Sequence, residues 1–409
     1  MSLKNLFGRL GNKLFGGLSK NVIILGIVSM LTDVSSEMIF PLLPLFLVDI
    51  LRADKSVVGL IEGIAESTAD GMKFIFGWYS DKVGKRKPFV LFGYALSTIT
   101  KPLFALATTW QSVLGVRFAD RMGKGMRVSA RDVMVVSSTP KNLRGKAFGF
   151  RKMMDSLGAV IGPLLAVILL PFFVSATDPS AAYRSIFWLS AIPALLAVIL
   201  IMFFVKETEP KNNNHNHYTF KGSLQHLGSN FNRLLFVSLL LALSNFSAAF
   251  LILRAHELGY GLEMMPLLYV VFNITYALFA IPAGSLSDKI GRKPVLAFGH
   301  LLFALVCLGF AFSGDGLGMW ILFALYGIFL AIRETIQRAF ISDIVEQDLL
   351  GTAFGTLQGA IGLAALPASL IAGILWDAYG SQAAFLFGAV VALISAVLLV
   401  LMVKEKRKG

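Results

Sequence analysis

Cysteine is all but missing from this chain. Cys307 stands alone among 409 residues, inside an apolar run, which excludes a disulfide framework and a cysteine-ligated metal centre. Histidine is scarce too, at 5 residues. No Ser/His/Asp, Cys/His or metal-ligand constellation is present, so hydrolytic and metal-dependent enzyme chemistry lacks its residues, and neither a metal nor a cofactor is expected. The phosphate cradle Gly-x-x-x-x-Gly-Lys-[Ser/Thr] does not occur, which argues against ATP drive. No signal peptide is expected at the start, because the apolar run from Val22 is too long and lacks a small-residue cleavage pattern. Charge is sparse at 15%, against 56% hydrophobic residues, and that balance belongs to a bilayer rather than to water.

What fills the chain is apolar runs near the roughly 20 residues needed to cross a bilayer. Helices are predicted at about 22–49, 56–78, 88–109, 111–136, 147–174 and 183–205, then at about 234–256, 262–286, 294–313, 317–341, 352–376 and 382–403. Twelve spans bring both termini to one side. Lys4, Arg9, Lys13, Lys20, Lys82 to Lys87, Lys141, Arg144, Lys146, Lys206, Lys211, Lys221, Arg233, Lys289 to Lys293 and Lys404 to Lys408 fall on that side, against Arg52, Lys55 and Arg184 on the other. The positive-inside rule makes the terminal side cytoplasmic. It also accounts for the net charge of +13 without a nucleic-acid partner. The expected setting is the plasma membrane, with the lipid bilayer as the surrounding partner and the chain acting as a monomer.

Outside the spans, residues 1–20 carry Leu3, Leu6, Phe7, Leu10, Leu14, Phe15 and Leu18 at helical spacing with basic residues between them. This predicts an amphipathic segment on the inner membrane surface; a partly disordered basic tail is the alternative. Residues 206–232 read as a cytoplasmic linker and 404–409 as a basic tail. His215 and His217 in the linker have no acidic or cysteine partner, so a solvated linker is preferred to a metal site.

The chain repeats itself. Gly77-Trp78-Tyr79-Ser80-Asp81-Lys82-Val83-Gly84-Lys85-Arg86-Lys87 recurs as Gly284-Ser285-Leu286-Ser287-Asp288-Lys289-Ile290-Gly291-Arg292-Lys293, a period of 207 from Asp81 to Asp288. Gly145-Lys146-Ala147-Phe148-Gly149 recurs as Gly351-Thr352-Ala353-Phe354-Gly355, a period of 206. Two anchors that agree within one residue indicate a duplicated membrane domain.

The first of these patterns, Gly-x-x-x-Asp-[Arg/Lys]-x-Gly-[Arg/Lys]-[Arg/Lys], resembles the loop motif of the major facilitator superfamily. The resemblance implies an all-α membrane protein of twelve transmembrane helices in two pseudo-symmetric six-helix bundles, residues 21–205 and 233–403, with substrate bound between them near the midplane. It also implies a gate. Gly77, Asp81, Gly84 and Arg86 in one loop, and Gly284, Asp288, Gly291 and Arg292 in the other, take the motif positions. Asp81 would dock near Gly351 at the start of the eleventh helix and Asp288 near Gly145 at the start of the fifth, where helix N-termini attract carboxylates. A loop that only anchors topology is the plainer reading. Pro41 and Pro44 resemble the Pro-x-x-Pro end of the first helix in twelve-helix proton antiporters. Gly158-x-x-x-Gly162-Pro163 is similar to their fifth-helix motif, with Leu165 to Val167 where the closing glycines stand. Arg117-Phe118-x-Asp120-x-x-Gly123 resembles their fourth-helix motif, with Asp120 in place of Gln and Arg121 in place of the first Gly.

Ionisable residues inside a bilayer are costly and point to function. On the fourth span Arg117, Asp120, Arg121, Lys124, Arg127, Arg131 and Asp132 share an arc of roughly 140°. The charges nearest the cytoplasmic end, Arg127, Arg131 and Asp132, read as snorkelling; Arg117, Asp120 and Arg121 lie deeper and read as substrate-binding. Asp33 and Glu37 share a face of the first span, and Glu62, Glu66, Asp70 and Lys73 an arc of roughly 80° on the second. An apolar setting favours the neutral acid and a nearby guanidinium the carboxylate. The expectation is that Asp33 or Glu37 carries a proton, with Glu62 and Glu66 in the same coupling set, while Arg117 or Arg121 exchanges partners. A static cluster joining helices one, two and four is the alternative. In the second half Asn245, Asn273 (207 residues after Glu66), Arg254 and Arg333 are the candidate substrate contacts, and Tyr269, Tyr276 and Phe246 are candidate pocket aromatics.

The sequence therefore reads as a secondary active transporter of a small solute, coupled to protons and working by alternating access. Its fourth-span arginines favour an anionic or zwitterionic substrate, because planar guanidinium groups hold carboxylate and phosphate well. Efflux of a drug-like compound or metabolite leads, and uptake of an organic anion with protons is the runner-up. A non-transporting sensor lacks its soluble domain, and a channel would have no use for paired latches.

Overall fold

The computed structural model describes residues 17–83, 85–140, 143–175, 177–207, 227–314, 316–346 and 349–405. The side chains of Phe74, Trp78, Asp81 and Lys82, and the surroundings of Gly77, Gly145 and Gly351, lie outside that description, as do Gly84, residues 1–16, His215, His217 and the end of the basic tail.

Among the described residues twelve long helices run back and forth in chain order: α1 (Lys20–Ile39), α2 (Lys55–Val83), α3 (Lys87–Leu106), α4 (Trp110–Ser137), α5 (Arg144–Leu169), α6 (Ala181–Phe204), α7 (Gly228–Ser244), α8 (Met264–Ile290), α9 (Arg292–Phe312), α10 (Leu317–Ile344), α11 (Leu350–Tyr379) and α12 (Ser381–Met402). Among the described residues ten helical stretches are long and apolar enough to cross a membrane. The two helices that fall short are α2 and α4, whose ionisable residues pull their hydropathy down. Both are packed inside the assembly, α2 against α4 and α11, and α4 against α2 and α3. Glu62, Arg117, Asp120, Arg121, Arg127 and Arg131 on them are buried inside the protein.

The first half packs α1 on α5 and α6, and α3 on α4 and α6; the second packs α8 on α10, and α9 on α10 and α12. The long helices α2 and α11, and α5 and α8, pack across the halves, and so do the short helical segments Leu43–Leu45 and Ala249–Glu257. This is the all-α architecture of two six-helix bundles that the repeat predicts.

Three local features depart from the simple spans. The predicted first span breaks at Phe40 to Leu42, resumes as Leu43–Leu45 and ends in a π-turn over Phe46–Ile50. Pro41 and Pro44 remove backbone donors there, which explains the break. The seventh span breaks at the matching place without a proline: α7 stops at Ser244 and the helix resumes at Ala249–Glu257. The Ser369 hydroxyl accepts from Ser247 N at 3.3 Å, and the Ser247 hydroxyl from Ala249 N at 3.3 Å, so side chains replace lost helical acceptors. Finally, α7 begins at Gly228, inside the segment expected to be linker, with Leu227 and Phe231 buried. Asn230 is held there: its amide donates to Lys404 O at 2.7 Å and accepts from Lys404 N at 2.8 Å.

That Asn clamp has a twin. Asn21 donates to Lys206 O and accepts from Lys206 N, both at 2.9 Å. The residue after each lysine is a glutamate that caps another helix. Glu207 accepts from Arg86 N and Lys87 N at 3.0 Å, and Glu405 accepts from Arg292 N and, at 3.2 Å, from Lys293 N. Both carboxylates thus satisfy the orphan amides that open α3 and α9. In the second loop Gly291 adopts φ +103, the left-handed side that a residue with a Cβ avoids, which is why the motif carries glycine there.

Candidate functional site: charged cavities between the halves

The halves meet closely at mid-height and at the end away from the termini. Ser67 Oγ donates to Gly362 O at 2.6 Å, and Asn273 Nδ2 to Ala159 O at 3.4 Å. Towards the termini the joining helices part: a Cβ built on Gly71, Gly149, Gly355 or Gly359 would meet nothing within 4 Å. The space between the halves therefore opens on the side of the termini.

One cavity of about 230 Å³ is lined by Asp33 and Glu37 of α1, Lys124, Arg127 and Arg131 of α4, Lys152 and Asp155 of α5, and Asn273 and Tyr276 of α8. Its α1 wall is set by the glycines of α5. A Cβ on Gly158 would lie 2.8 Å from the Asp33 Cβ, and one on Gly162 would lie 2.9 Å from the Glu37 Cβ, so α5 lies directly against the turns that carry both acids. A second cavity, about 380 Å³, is lined by Glu66, Asp70 and Lys73 of α2, Asn245, Arg333, Glu334 and Arg338 of the second half, and Phe246.

Behind these walls lies a ladder of buried ion pairs. Arg117 Nη2 meets Glu62 Oε2 at 2.9 Å, with both side chains almost wholly enclosed. Lys101 of α3 meets Asp120 at 3.3 Å and donates to Ser36 Oγ at 3.2 Å. Arg121 bridges Asp120 at 3.8 Å and Glu66 at 3.7 Å. Lower down, Arg127 donates to the Ser97 hydroxyl and lies 4.7 Å from the Tyr94 ring centre, and Arg131 donates to Ser29 Oγ at 2.6 Å and Tyr94 Oη at 3.3 Å. Burying a charge in a low-dielectric interior is costly unless an opposite charge or hydrogen bonds compensate it.

In this structure neither Arg117 nor Arg121, one of which is expected to exchange partners as Asp33 or Glu37 carries a proton, is paired with either acid. Both arginines reach the carboxylates of α2 and α4 instead, because the α2–α4 interface brings Glu62 and Glu66 opposite them. Among the described residues Asp33 and Glu37 make no ion pair, and Glu37 Oε2 is buried without a hydrogen-bond partner. The cations that share their cavity are Lys124, Arg127, Arg131 and Lys152.

The predicted substrate contacts divide in the same manner. Asn273 lines the first cavity, and Asn245 and Arg333 line the second. Arg117, Asp120 and Arg121 stand behind the walls in ion pairs. Arg254 is elsewhere: it donates to Phe310 O at 3.0 Å, Ser381 Oγ at 2.9 Å and Glu257 at 2.8 Å, tying the seventh helix to α9 and α12 near the far end. Among the gating residues, Arg86 donates to Ser80 O at 2.6 Å and Arg292 to Ser287 Oγ at 2.6 Å, so each arginine closes its own loop. Asp288 pairs with Arg292 at 2.6 Å, its side chain 61% exposed, and Arg292 also meets Asp343 at 3.0 Å. Its carboxylate is held within its own half.

Lys101, Lys152 and Asp155 escaped the sequence reading, although each lies inside a predicted span. The rule that singled out the fourth span, ionisable residues at membrane depth, finds them when applied to the third and fifth.

Comparison with known proteins gives one answer. The profile of the Major Facilitator Superfamily matches residues 25–253 and 234–409. An uncharacterized MFS-type transporter of Methanocaldococcus jannaschii is 38% identical over 388 residues, covering 93% of this chain and 94% of that one. The fold is similar to the crystal structure of the nucleoside transporter NupG, as a point mutant, with TM-score 0.79 at 14% identity over 94% of this chain and all of that one. It is similar also to a bacterial homolog of the human lysosomal transporter Spinster in an inward-facing and occupied conformation, with TM-score 0.77 at 14% identity over 93% of this chain and 95% of that one. The chain belongs to the Major Facilitator Superfamily, and it is an integral multi-pass membrane protein of a transporter family.

Proposed function

Proceeding from that membership, we propose that the protein is a proton-coupled secondary transporter that exports a small anionic or zwitterionic solute by alternating access. The observation that carries the reading is the state of the two α1 acids. Among the described residues Asp33 and Glu37 line an opening cavity without an ion-pair partner, whereas Glu62 and Asp120 behind the walls and Glu66 at the second cavity are matched by Arg117, Lys101 and Arg121. An unpaired carboxylate at membrane depth is costly while charged and takes up a proton readily; a substrate cation or a reoriented lysine releases it.

In this scheme Asp33 and Glu37 exchange protons, and Lys124 and Lys152 supply the positive charge that meets an anionic group. Glu66, at the edge of the second cavity, joins the coupling set, and the Glu62–Arg117 pair holds α2 against α4. Asn245, Asn273 and Arg333 contact the solute from the second half. Asp81 and Asp288, with their loop glycines and arginines, latch the terminal side when the cavity turns to face the other way. The terminal side is cytoplasmic on the distribution of Lys and Arg, the membrane is the plasma membrane, and the working unit is one chain.

The test is solute flux in sealed proteoliposomes, with organic anions, zwitterions and lipophilic cations offered with and without a pH gradient. The expected result is saturable transport of anions or zwitterions that depends on the gradient and is lost in Asp33→Asn. Transport confined to lipophilic cations removes the basic residues from substrate binding. Gradient-driven uptake in the proton's direction reverses the export reading.

A further inference from the structure

The end of the molecule away from the termini is shut by polar contacts that the repeated loops do not foretell. Asp49, on the last turn after the break in the first helix, places Oδ2 3.1 Å from Nε2 of His256, on the last turn after the break in the seventh. The interval from Asp49 to His256 is 207 residues, the same as between the two loop aspartates. The two residues are thus counterparts in the duplicated halves, and they meet each other on the pseudo-twofold axis. A residue on such an axis faces its own equivalent. Two like carboxylates would repel there, whereas an acid and an imidazole attract.

The same carboxylate is held from its own side, since Tyr183 Oη of α6 donates to Asp49 Oδ2 at 3.3 Å. The side chains of His256 and Asp49 are 36% and 32% exposed, so the pair borders water rather than lying in the packed core. A second contact crosses the halves beside it. Asp377 of α11 accepts from Lys55 N at 3.0 Å and from Ser56 N at 2.8 Å, using the orphan amides that open α2. One turn on, Gly59 lies so close to α11 that a Cβ there would be 2.1 Å from Ser369 O.

We propose that Asp49 and His256 form a latch on the pseudo-twofold axis that keeps the far end closed, with Asp377 as its second hold. The latch rests on the alternating-access reading. Every one of these bonds except Tyr183–Asp49 joins one half to the other, so opening the far end must break them. Tyr183 moves with Asp49 and keeps its carboxylate aimed for the return of His256. The loop carboxylate of Asp288 is meanwhile bonded within its own half. The far end is therefore held by contacts between halves, while at the other end the Asp288 carboxylate makes none of them.

Spin labels at Thr108 and Gly314, exposed in far-end loops of opposite halves, in a Cys307→Ser background in lipid nanodiscs, report the gap as a distance distribution. Asp49→Ala and His256→Ala should each raise the ratio of far-open to far-closed molecules about fivefold, which corresponds to about 1 kcal/mol. Tyr183→Phe should shift it in the same direction by less. Because the partners are symmetry counterparts, the double exchange Asp49→His with His256→Asp should recover most of the closed population, short of the unmodified distribution by the Tyr183 bond, since the position 207 residues after Tyr183 is Val390. Single variants that leave the distribution unchanged, or an exchange as open as the singles, would overturn the latch. Flux of the unmodified chain is measured alongside: an unchanged gap with transport intact removes the latch and leaves alternating access standing. No saturable flux of any compound removes the reading beneath it.

Discussion

The two halves share a backbone and differ in what they bury. Both carry a loop arginine turned back on its own loop, an Asn clamp and a glutamate cap at the end near the termini, and a broken first helix. The first half then encloses Glu62, Arg117, Asp120, Lys101 and Arg121, whereas positions 207 residues further on hold Tyr269, Ala324, Gly327, Leu308 and Ile328. Glu66 becomes Asn273. One fold thus tolerates either a charged or a nearly neutral helix interface, so the ion pairs of the first half are not needed to build six helices. Their presence in one half alone is the reason to read them as part of transport.

The sharpest way to break this comparison is to unpair the ladder. Arg117→Ala leaves Glu62 buried without its cation and should cost about 3–5 kcal/mol, seen as loss of monodisperse protein in detergent and a fall in melting temperature. Replacing both partners, Glu62→Gln with Arg117→Met, should recover most of that loss. If the double variant is as unstable as the single, the pair supports the fold and the contrast between halves loses its functional meaning.

Next in size is the chemistry of the cavity. Asp33→Asn should abolish gradient-driven accumulation while sparing solute exchange, and Glu37→Gln should do the same or weaken it severely; pH-dependent accumulation unchanged in both would take the proton away from α1. A smaller effect is expected at the terminal loops. Asp288→Ala should slow turnover several-fold with little change in half-saturation, and Asp81→Ala likewise, since neither carboxylate is proposed to touch solute. Equal rates in all three proteins would reduce the loops to topology anchors. Smallest is the neutral side of the comparison: Tyr276→Phe removes the bond from Tyr276 Oη to Glu334 Oε2 at 2.7 Å and should cost about 1 kcal/mol, measurable as a modest drop in thermal stability.

Much of the molecule was legible beforehand because its strongest signals are local. A run of apolar residues spans a bilayer whatever surrounds it, and a 207-residue period announces a second bundle. The charged face of α4 was visible by helical geometry alone. What escaped was partner choice. Helical spacing shows that Arg117 and Glu62 each face away from lipid, but the crossing of α2 and α4 decides that they meet, at 2.9 Å, and that among the described residues Asp33 has no ion-pair partner. Arg254 shows the same limit from the other side. It looked like a pocket residue by type, yet it lies at the far end of its span and spends its donors on α9, α12 and Glu257.

The sequence by itself determined the class of fold, the number of long helices, the duplication and the sign of charge at each membrane face, since these follow from composition, period and the cost of placing charge in lipid. Tertiary structure alone decided which charges neutralise one another, which acids are left in the cavity, and that Asp49 touches its own symmetry counterpart. Those outcomes depend on helix crossings between residues far apart in the chain, where a shift of one turn exchanges one partner for another.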